Sequence, residues 1–266
     1  MVVAVANQKG GVGKTTIVAN LGAALRRLRR RTLLVDLDPQ ASLTVACGLE
    51  PEEQEETMAT VIGRWLRGEE PRPEAAVKRV RAGRLIPSNL DLSGIEFELV
   101  TALAGERAVS DVISPLRGQF DFVLLDCPPS LGMLTVNALC AADAVLIPLL
   151  PHYLSIKALS ALFETIGKVR ARLNPHLRVM GVVFNAVEER LLHTREAMGL
   201  LEELGGKGIY IFKTTIKKTV RLREAAVEGE PILDFLPGHE ICKSFLELAR
   251  EVIKRAKEGK AHAGKG

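Results

Sequence analysis

The residues with the clearest chemistry form a glycine-rich stretch near the N-terminus, Asn-Gln-Lys-Gly-Gly-Val-Gly-Lys-Thr-Thr over residues 7–16. Its glycines would let the backbone take positive φ and point successive N–H groups inward, which creates a site for an anion. Lys14 would then reach the β- and γ-phosphates of a nucleotide, and the Thr15 hydroxyl would bind Mg²⁺. The predicted nucleotide-binding residues here are Gly10, Gly11, Val12, Gly13, Lys14, Thr15 and Thr16.

The elements on either side of this stretch suit a phosphate-binding loop. Residues 2–6 are all apolar, as in a strand buried on both faces of a parallel sheet. Residues 16–28 carry apolar side chains at helix spacing, so a helix should follow the loop and direct the positive end of its dipole at the phosphates. Strand, glycine loop and helix is the context in which a phosphate loop occurs.

Other interpretations of the stretch fit less well. A dinucleotide-binding fingerprint needs a third glycine where Thr16 stands, and it gives Lys14 no role. A glycine-rich turn without a ligand also leaves Lys14 unexplained. The strict phosphate-loop pattern has a glycine at the position of Gln8, so the assignment depends on mechanism and not on an identical match of letters.

Composition limits the remaining possibilities. The chain has 266 residues, 47% of them hydrophobic, which is enough for one domain with a full core. We expect a single domain over residues 1–258 and a flexible tail over residues 259–266. The four cysteines show no paired spacing, so reduced thiols and no structural metal are expected. The sequence shows neither a leader pattern nor an apolar run of membrane-spanning length, which predicts a cytoplasmic protein.

Acidic residues follow two further apolar runs that are typical of buried strands. One run leads to Asp36 and Asp38, and the other, residues 120–129, contains Asp126. The carboxyl edge of a doubly wound sheet is where ligands bind, so these carboxylates should lie beside the glycine loop. Asp126 can hold a water on Mg²⁺, and the alternative for Asp38 is a cap on the next helix.

The stretch from Lys9 to Thr16 resembles the deviant Walker A loop of the ParA/Soj/MinD ATPases, which carries an extra lysine early in the loop. The segments around Asp38, Asp126 and Arg221 resemble other motifs of that family. The resemblance implies an α/β fold, with a doubly wound, mainly parallel sheet and helices on both faces. It also implies a homodimer when ATP is bound, in which Lys9 crosses to the phosphates of the other subunit.

Residue roles follow from the same resemblance. Asp38 would orient the attacking water, and Asp36 would lie near Mg²⁺. The expected catalytic residues are Lys9, Lys14 and Asp38, and the expected metal-binding residues are Thr15, Asp36 and Asp126. Asn185, at the end of a predicted strand, is the candidate for recognition of the base, because an amide can both donate to and accept from a ring edge. Members of the family often show Ile-Pro near the adenine, whereas here Ile216 precedes a lysine.

A basic group over residues 213–223 indicates a second kind of partner. It includes Lys217, Lys218 and Arg221, and no aromatic residue interleaves the cations, so phosphate contact is expected without base stacking. The resemblance implies that Arg221 and Arg190 hold DNA without sequence preference. A solvated basic surface is the alternative. The five arginines over residues 26–31 are interpreted as a solvated helix end, with nucleic-acid contact as the alternative.

These expectations combine into one hypothesis. The resemblance implies an ATPase for chromosome or plasmid partition that uses ATP and Mg²⁺, binds non-specific double-stranded DNA and associates with the nucleoid. A ParB-type centromere-binding protein would stimulate its slow hydrolysis, since an arginine supplied in trans is typically worth about 10³ to 10⁵ in rate. Two alternatives remain, a membrane-cycling ATPase of the MinD type and a DNA-free ATPase that positions another cargo. Without large apolar residues after 257, membrane binding is not expected.

Overall fold

The computed structural model describes residues 1–151, 159–188, 199 and 208–263, with side chains as far as Gly259 in the last helix. Its centre is a sheet of seven strands in the order β3-β4-β2-β5-β1-β6-β7. The strands are β1 (Val2–Val5), β2 (Thr32–Asp36), β3 (Lys78–Val80), β4 (Gly83–Ile86), β5 (Phe122–Asp126), β6 (Ala144–Leu149) and β7 (Arg178–Phe184).

Neighbouring strands run parallel, except that β3 pairs antiparallel with β4 at one edge. β1 lies between β5 and β6, and every residue of β1, β2, β5 and β6 is buried. Strands that are buried on both faces must be apolar throughout, which is why these segments show continuous apolar runs. The expected doubly wound, mainly parallel α/β fold is confirmed.

Helices cover both faces of the sheet. The described helices are α1 (Lys14–Arg27), α2 (Ser42–Ala46), α3 (Met58–Leu66), α4 (Leu92–Thr101), α5 (Ala108–Ile113), α6 (Met133–Ala141), α7 (Leu159–Arg172), α8 (Arg221–Val227), α9 (Ile232–Phe235) and α10 (Glu240–Ala263). One core lies under α3 to α7, and the other lies under α1, α2 and α8 to α10. Within the described residues, no helix is both long enough and apolar enough to span a membrane.

The charged segment 50–84 contributes to both the core and the sheet. Its helix α3 buries Met58, Val61 and Ile62 completely, and its strand β3 extends the sheet. A capping box between Thr57 and Thr60 fixes the start of α3, and such local signals do not reveal long-range packing. The last helix continues past residue 257 to Ala263, so its final turns occupy part of the expected tail.

Candidate nucleotide-binding site

The glycine loop leaves the end of β1 and enters α1 at the carboxyl edge of the sheet. Gly11 has φ 73° and Gly13 has φ 87°, a left-handed conformation that favours glycine. Gly10 does not adopt a positive φ, so the predicted left-handed conformation is wrong for this glycine. A Cβ added at Gly10 would lie 3.9 Å from the Cβ of Pro129. The loop therefore follows the backbone path that the sequence predicts at two of its three glycines.

Lys14 is the first residue of α1 and is only 7% exposed. Its Nζ donates to the Lys9 carbonyl oxygen at 3.5 Å. Burial lowers the pKa of Lys14, while Asp126, Cys127 and Asp38 act in the opposite direction. A cation held out of water at a helix N-terminus is stabilised when an anionic ligand arrives, so the geometry suits a bound phosphate.

The Thr15 hydroxyl donates to Asp126 Oδ2 at 2.7 Å. The other oxygen, Asp126 Oδ1, is buried and has no hydrogen-bond partner among the described residues. Burial and the nearby carboxylate of Asp36 raise the pKa of Asp126 well above its ordinary value. A hydroxyl beside a buried carboxylate with an unsatisfied oxygen fits a magnesium site, because Mg²⁺ prefers oxygen ligands and retains several waters.

Asp36 pairs in register with Asp126 across the neighbouring strands. Its Oδ2 accepts from the Thr44 N–H at 2.9 Å and the Thr44 hydroxyl at 2.7 Å, and its Oδ1 accepts from the Asp38 N–H at 3.1 Å. Burial raises the pKa of Asp36 to about 7. Because three protein donors bind this carboxylate, its clearest role is to hold the Asp38 segment beside the site.

Asp38 lies two residues beyond the end of β2 and is half-buried. Its Oδ1 accepts from the Gln40 N–H at 3.0 Å, and its carbonyl accepts from the Ala41 N–H at 2.8 Å. The carboxylate thus stabilises its own turn, and it also acts electrostatically on Lys14. Asp38 therefore belongs to the same edge of the sheet as the loop, as the sequence predicts.

Two asparagines support the loop in a way that the sequence analysis missed. The Asn7 side chain donates to the Pro148 carbonyl at 2.8 Å and accepts from the Lys9 N–H at 3.0 Å. Asparagine side chains commonly accept a hydrogen bond from the backbone N–H two residues later in the chain, so the asparagine at position 7 was a local signal for the bond to Lys9. Asn185 Nδ2 donates to the Val12 carbonyl at 2.8 Å, and a Cβ added at Gly13 would lie 2.0 Å from that nitrogen.

A cleft of about 450 Å³ opens beside the loop and could hold the base and the sugar. Its walls include Asn185, Lys217 and Lys218, so the two lysines that were expected to contact DNA line the candidate nucleotide cleft. Lys218 also forms an ion pair with Glu188. The described residues that line the cleft are Gly11, Gly13, Thr16, Leu150, Asn185, Ala186, Glu188, Lys217, Lys218, Thr219, Leu222, Arg223 and Ala226.

Of the other two expected DNA contacts, one does not belong to the lining of this cleft and one lies outside the described residues. Arg221 begins α8 and pairs with Glu224 at 2.7 Å, while half of its side chain remains exposed. Arg190 lies outside the described residues. The four cysteines are free thiols, and Cys47, Cys127 and Cys242 are buried.

The loop, its buried lysine and the Thr15–Asp126 pair define the class of P-loop nucleoside triphosphatases. A family model described as an AAA domain matches residues 1–179. Chromosome partitioning protein ParA of Caulobacter vibrioides is 40% identical over 266 residues, which cover 98% of this chain and 97% of that protein. Sporulation initiation inhibitor protein Soj of Bacillus subtilis is 35% identical over 256 residues, covering 94% and 97%.

A solved structure agrees with these relatives. Cobyrinic acid a,c-diamide synthase from Mycobacterium smegmatis, with a bound ATP analogue and magnesium, is 34% identical and has a TM-score of 0.82 over 97% of this chain and 96% of that one. The chain belongs to the ParA/Soj family of P-loop ATPases. The family resemblance that the sequence motifs indicated is thereby confirmed.

Proposed function

We propose that this protein binds ATP with Mg²⁺ and hydrolyses it. The observation that carries the proposal is the hydrogen bond between Thr15 and Asp126 at the base of the loop, with one Asp126 oxygen left unsatisfied. The Mycobacterium smegmatis relative was solved with an ATP analogue and magnesium, which supports the same ligands here. When bound, Mg²⁺ would neutralise the negative charge that develops on the phosphates during hydrolysis.

The chain's own residues have distinct roles in this reaction. The loop N–H groups and the start of α1 bind the phosphates, and Lys14 places a desolvated positive charge against them. Thr15 and Asp126 supply oxygens on the metal side. Asp38, held by Asp36 and by its own turn, orients the water that attacks the γ-phosphate, which is the positioning role that such chemistry requires.

Dimerisation completes the site in this proposal. Lys9 is half-buried at the mouth of the loop, and its carbonyl already contacts Lys14. In an ATP-bound homodimer, Lys9 of each subunit reaches the phosphates of the other. Binding of ATP and association of the subunits then stabilise each other, because the phosphates attract Lys9 of the partner and that lysine completes the phosphate site.

We further propose that the ATP-bound dimer binds double-stranded DNA without sequence preference and serves chromosome or plasmid partition. Two observations support this role. The chain belongs to the ParA/Soj family, and its Caulobacter relative is named a chromosome partitioning protein. Arg221 and Arg190 are the proposed contacts to DNA phosphates. Lys217 and Lys218 are proposed to contact DNA as well, although they also line the candidate nucleotide cleft. Hydrolysis releases the DNA, and a ParB-type partner stimulates it. A nucleoid-associated distribution follows from the DNA binding.

The experiment measures affinity for a non-specific duplex against salt concentration, with ADP and with ATP, for the wild type and for Asp38→Ala, which should hold the ATP-bound state. Doubling the number of phosphate contacts by dimerisation should roughly double the log–log salt slope, since each contact contributes about 0.9. Arg221→Glu should remove the increase that ATP causes. An affinity that is weak and that ATP leaves unchanged would favour a cargo other than DNA.

A further inference from the structure

A cleft lined by arginines lies at the opposite edge of the sheet from the phosphate loop. It has a volume of about 610 Å³, and its lining includes the first residue of β2 and the first two residues of β4. We call it the arginine cleft, and its six arginines are Arg26, Arg29, Arg30, Arg31, Arg79 and Arg84. No carboxylate belongs to the lining that the structure describes. α1 has 14 residues and separates the arginine cleft from the loop by about 20 Å.

Several of these arginines lack a carboxylate partner. Arg26 pairs with Asp234 at 2.7 Å and Arg31 pairs with Asp121 at 3.4 Å. Within the described part of the chain, no ion pair is formed by Arg29, Arg79 or Arg84. Further side-chain donors are therefore available, and in an otherwise empty cleft they repel one another.

Three of the arginines occupy positions that cost stability. Arg79 and Arg84 are direct partners in the antiparallel β3–β4 pair, where like charges are destabilising. Arg29 has φ 60° just after α1, a left-handed position that glycine fills at lower cost. Positive charge on an edge strand such as β3 can discourage sheet aggregation, but β4 is an inner strand and Arg29 is on no strand. A ligand of negative charge would offset the repulsion between the arginines.

Two neighbouring clefts extend the positive surface along the same edge of the sheet. One, of about 320 Å³, shares Arg30 with the arginine cleft and adds Arg117 and Lys257. The next, of about 400 Å³, shares Arg117 and adds His176 and Arg178, near the start of β7. The three clefts together run from β3 to β7, and we call them the amino-edge groove. Asp121 and Asp143 are the carboxylates that line it in the described structure.

The length of the amino-edge groove selects the ligand. Crossing seven strands at about 4.8 Å per step gives about 29 Å, which matches roughly eight base pairs of duplex DNA at 3.4 Å each. A small anion would engage two or three guanidinium groups and leave the others uncompensated. Guanidinium groups match phosphate oxygens in bidentate geometry, and the large exposed apolar side chains of the described residues all lie outside this groove, unlike a surface that inserts into a membrane.

We propose that the amino-edge groove is a second DNA-binding surface, which holds the phosphate backbone of a duplex and needs no nucleotide. It goes beyond the proposed function, because it lies on the opposite edge of the sheet from Arg221 and from the ATP site. It predicts a basal affinity for DNA that is already present with ADP. When ATP binds, the DNA contacts of Arg221 in the dimer are added to the contacts that the amino-edge groove already makes.

The test uses Arg79→Glu and Arg29→Glu in the full chain, with fluorescence anisotropy of a labelled duplex across a salt series in the presence of ADP. Each variant should weaken binding and make the log–log salt slope shallower by about 1. Arg107→Glu is the matched control, since it makes the same charge change on an exposed residue beside α5, in the other helical layer. The proposal is overturned if the two cleft variants and the control give the same affinity and slope.

Stability separates a binding defect from a folding defect. Arg79→Glu places opposite charges across the β3–β4 pair, so its melting temperature should equal or exceed that of the wild type while its DNA affinity falls. Arg221→Glu should leave binding with ADP unchanged and remove only the increase caused by ATP, so the two surfaces fail independently. If the cleft variants lose binding to anionic vesicles or to a polyglutamate peptide and keep their DNA affinity, the DNA assignment is wrong.

Discussion

The Thr15 hydroxyl lies 2.7 Å from Asp126 Oδ2 and joins the first turn of α1 to the end of β5. These residues are 111 positions apart in the chain, so only the folded sheet brings them together. The bond fixes the hydroxyl and the carboxylate on one side of the loop. The other oxygen, Asp126 Oδ1, is buried and accepts no hydrogen bond from the described residues, so a hydrated cation would satisfy it.

Thr15→Val should lower nucleotide affinity in the presence of Mg²⁺ by about 10- to 100-fold, because groups that hold or orient a metal have effects of that size. Affinity in EDTA should change little, since the loop N–H groups and Lys14 are intact. Titration of a fluorescent ATP analogue with and without Mg²⁺ measures both quantities. An equal loss under the two conditions would mean that the threonine shapes the loop and does not serve the metal.

Gly13→Ala should abolish nucleotide binding and destabilise the fold, because the new Cβ would lie 2.0 Å from Asn185 Nδ2 and the left-handed φ alone costs about 1–2 kcal/mol. Asn185→Ala removes the obstacle and the bond to Val12. The double variant should therefore recover part of the stability that Gly13→Ala loses. Urea unfolding of the four proteins in this cycle gives the coupling energy, and additive losses would show that the two residues do not contact each other.

Lys217→Ala and Lys218→Ala should weaken nucleotide binding, since both side chains line the cleft beside the loop. Arg221→Ala, whose side chain is half-exposed and paired with Glu224, should leave nucleotide affinity within about twofold, as expected for an exposed ion pair. Titration with the ATP analogue compares the three variants. If the two lysine variants bind nucleotide normally and lose only DNA, the lysines belong to the DNA surface alone.

Glu251 connects α10 to the segment after residue 208. It accepts hydrogen bonds from the Tyr210 hydroxyl at 2.6 Å, the Lys213 N–H at 2.9 Å and the Thr214 N–H at 3.2 Å. Burial raises the pKa of Glu251, but these donors and the Thr214 hydroxyl outweigh it and leave the pKa below its ordinary value. A depressed carboxyl pKa means that its stabilisation is present above the unfolded-state pKa and is lost as the pH falls through the folded-state pKa.

Glu251→Gln should therefore cost about 1 kcal/mol at pH 7, a value at the low end for charged hydrogen bonds because the site is partly exposed. The loss should diminish as the pH falls through the folded-state pKa of the wild-type carboxyl. Urea unfolding over a pH series downward from 7 measures this change. Glu247→Gln, on an exposed residue of the same helix, is the control, and an equal response of the two variants would contradict the assigned role of Glu251.

The local sequence predicted the loop and the acids at the strand ends because each depends on neighbouring residues. Glycine at positions 11 and 13 permits the left-handed backbone, and apolar runs ending in Asp36 and Asp126 must place those acids at the carboxyl edge of a buried parallel sheet. Family resemblance added the membership and the expected partners. The bond between Asn7 and the Lys9 N–H is also local, because the two residues are two positions apart in the chain.

The tertiary structure decided what depends on distant segments. Sequence spacing could not show that Asn185 packs against Gly13, that Thr44 holds Asp36, or that Lys217 lines the nucleotide cleft. Nor could it show that arginines from the end of α1 meet those of β3 and β4. The physical reason is that pairing register and packing are collective, so a side chain's partners are fixed only when the whole sheet has formed. The sequence alone determined the chemistry of the loop, and the fold determined which charges surround it.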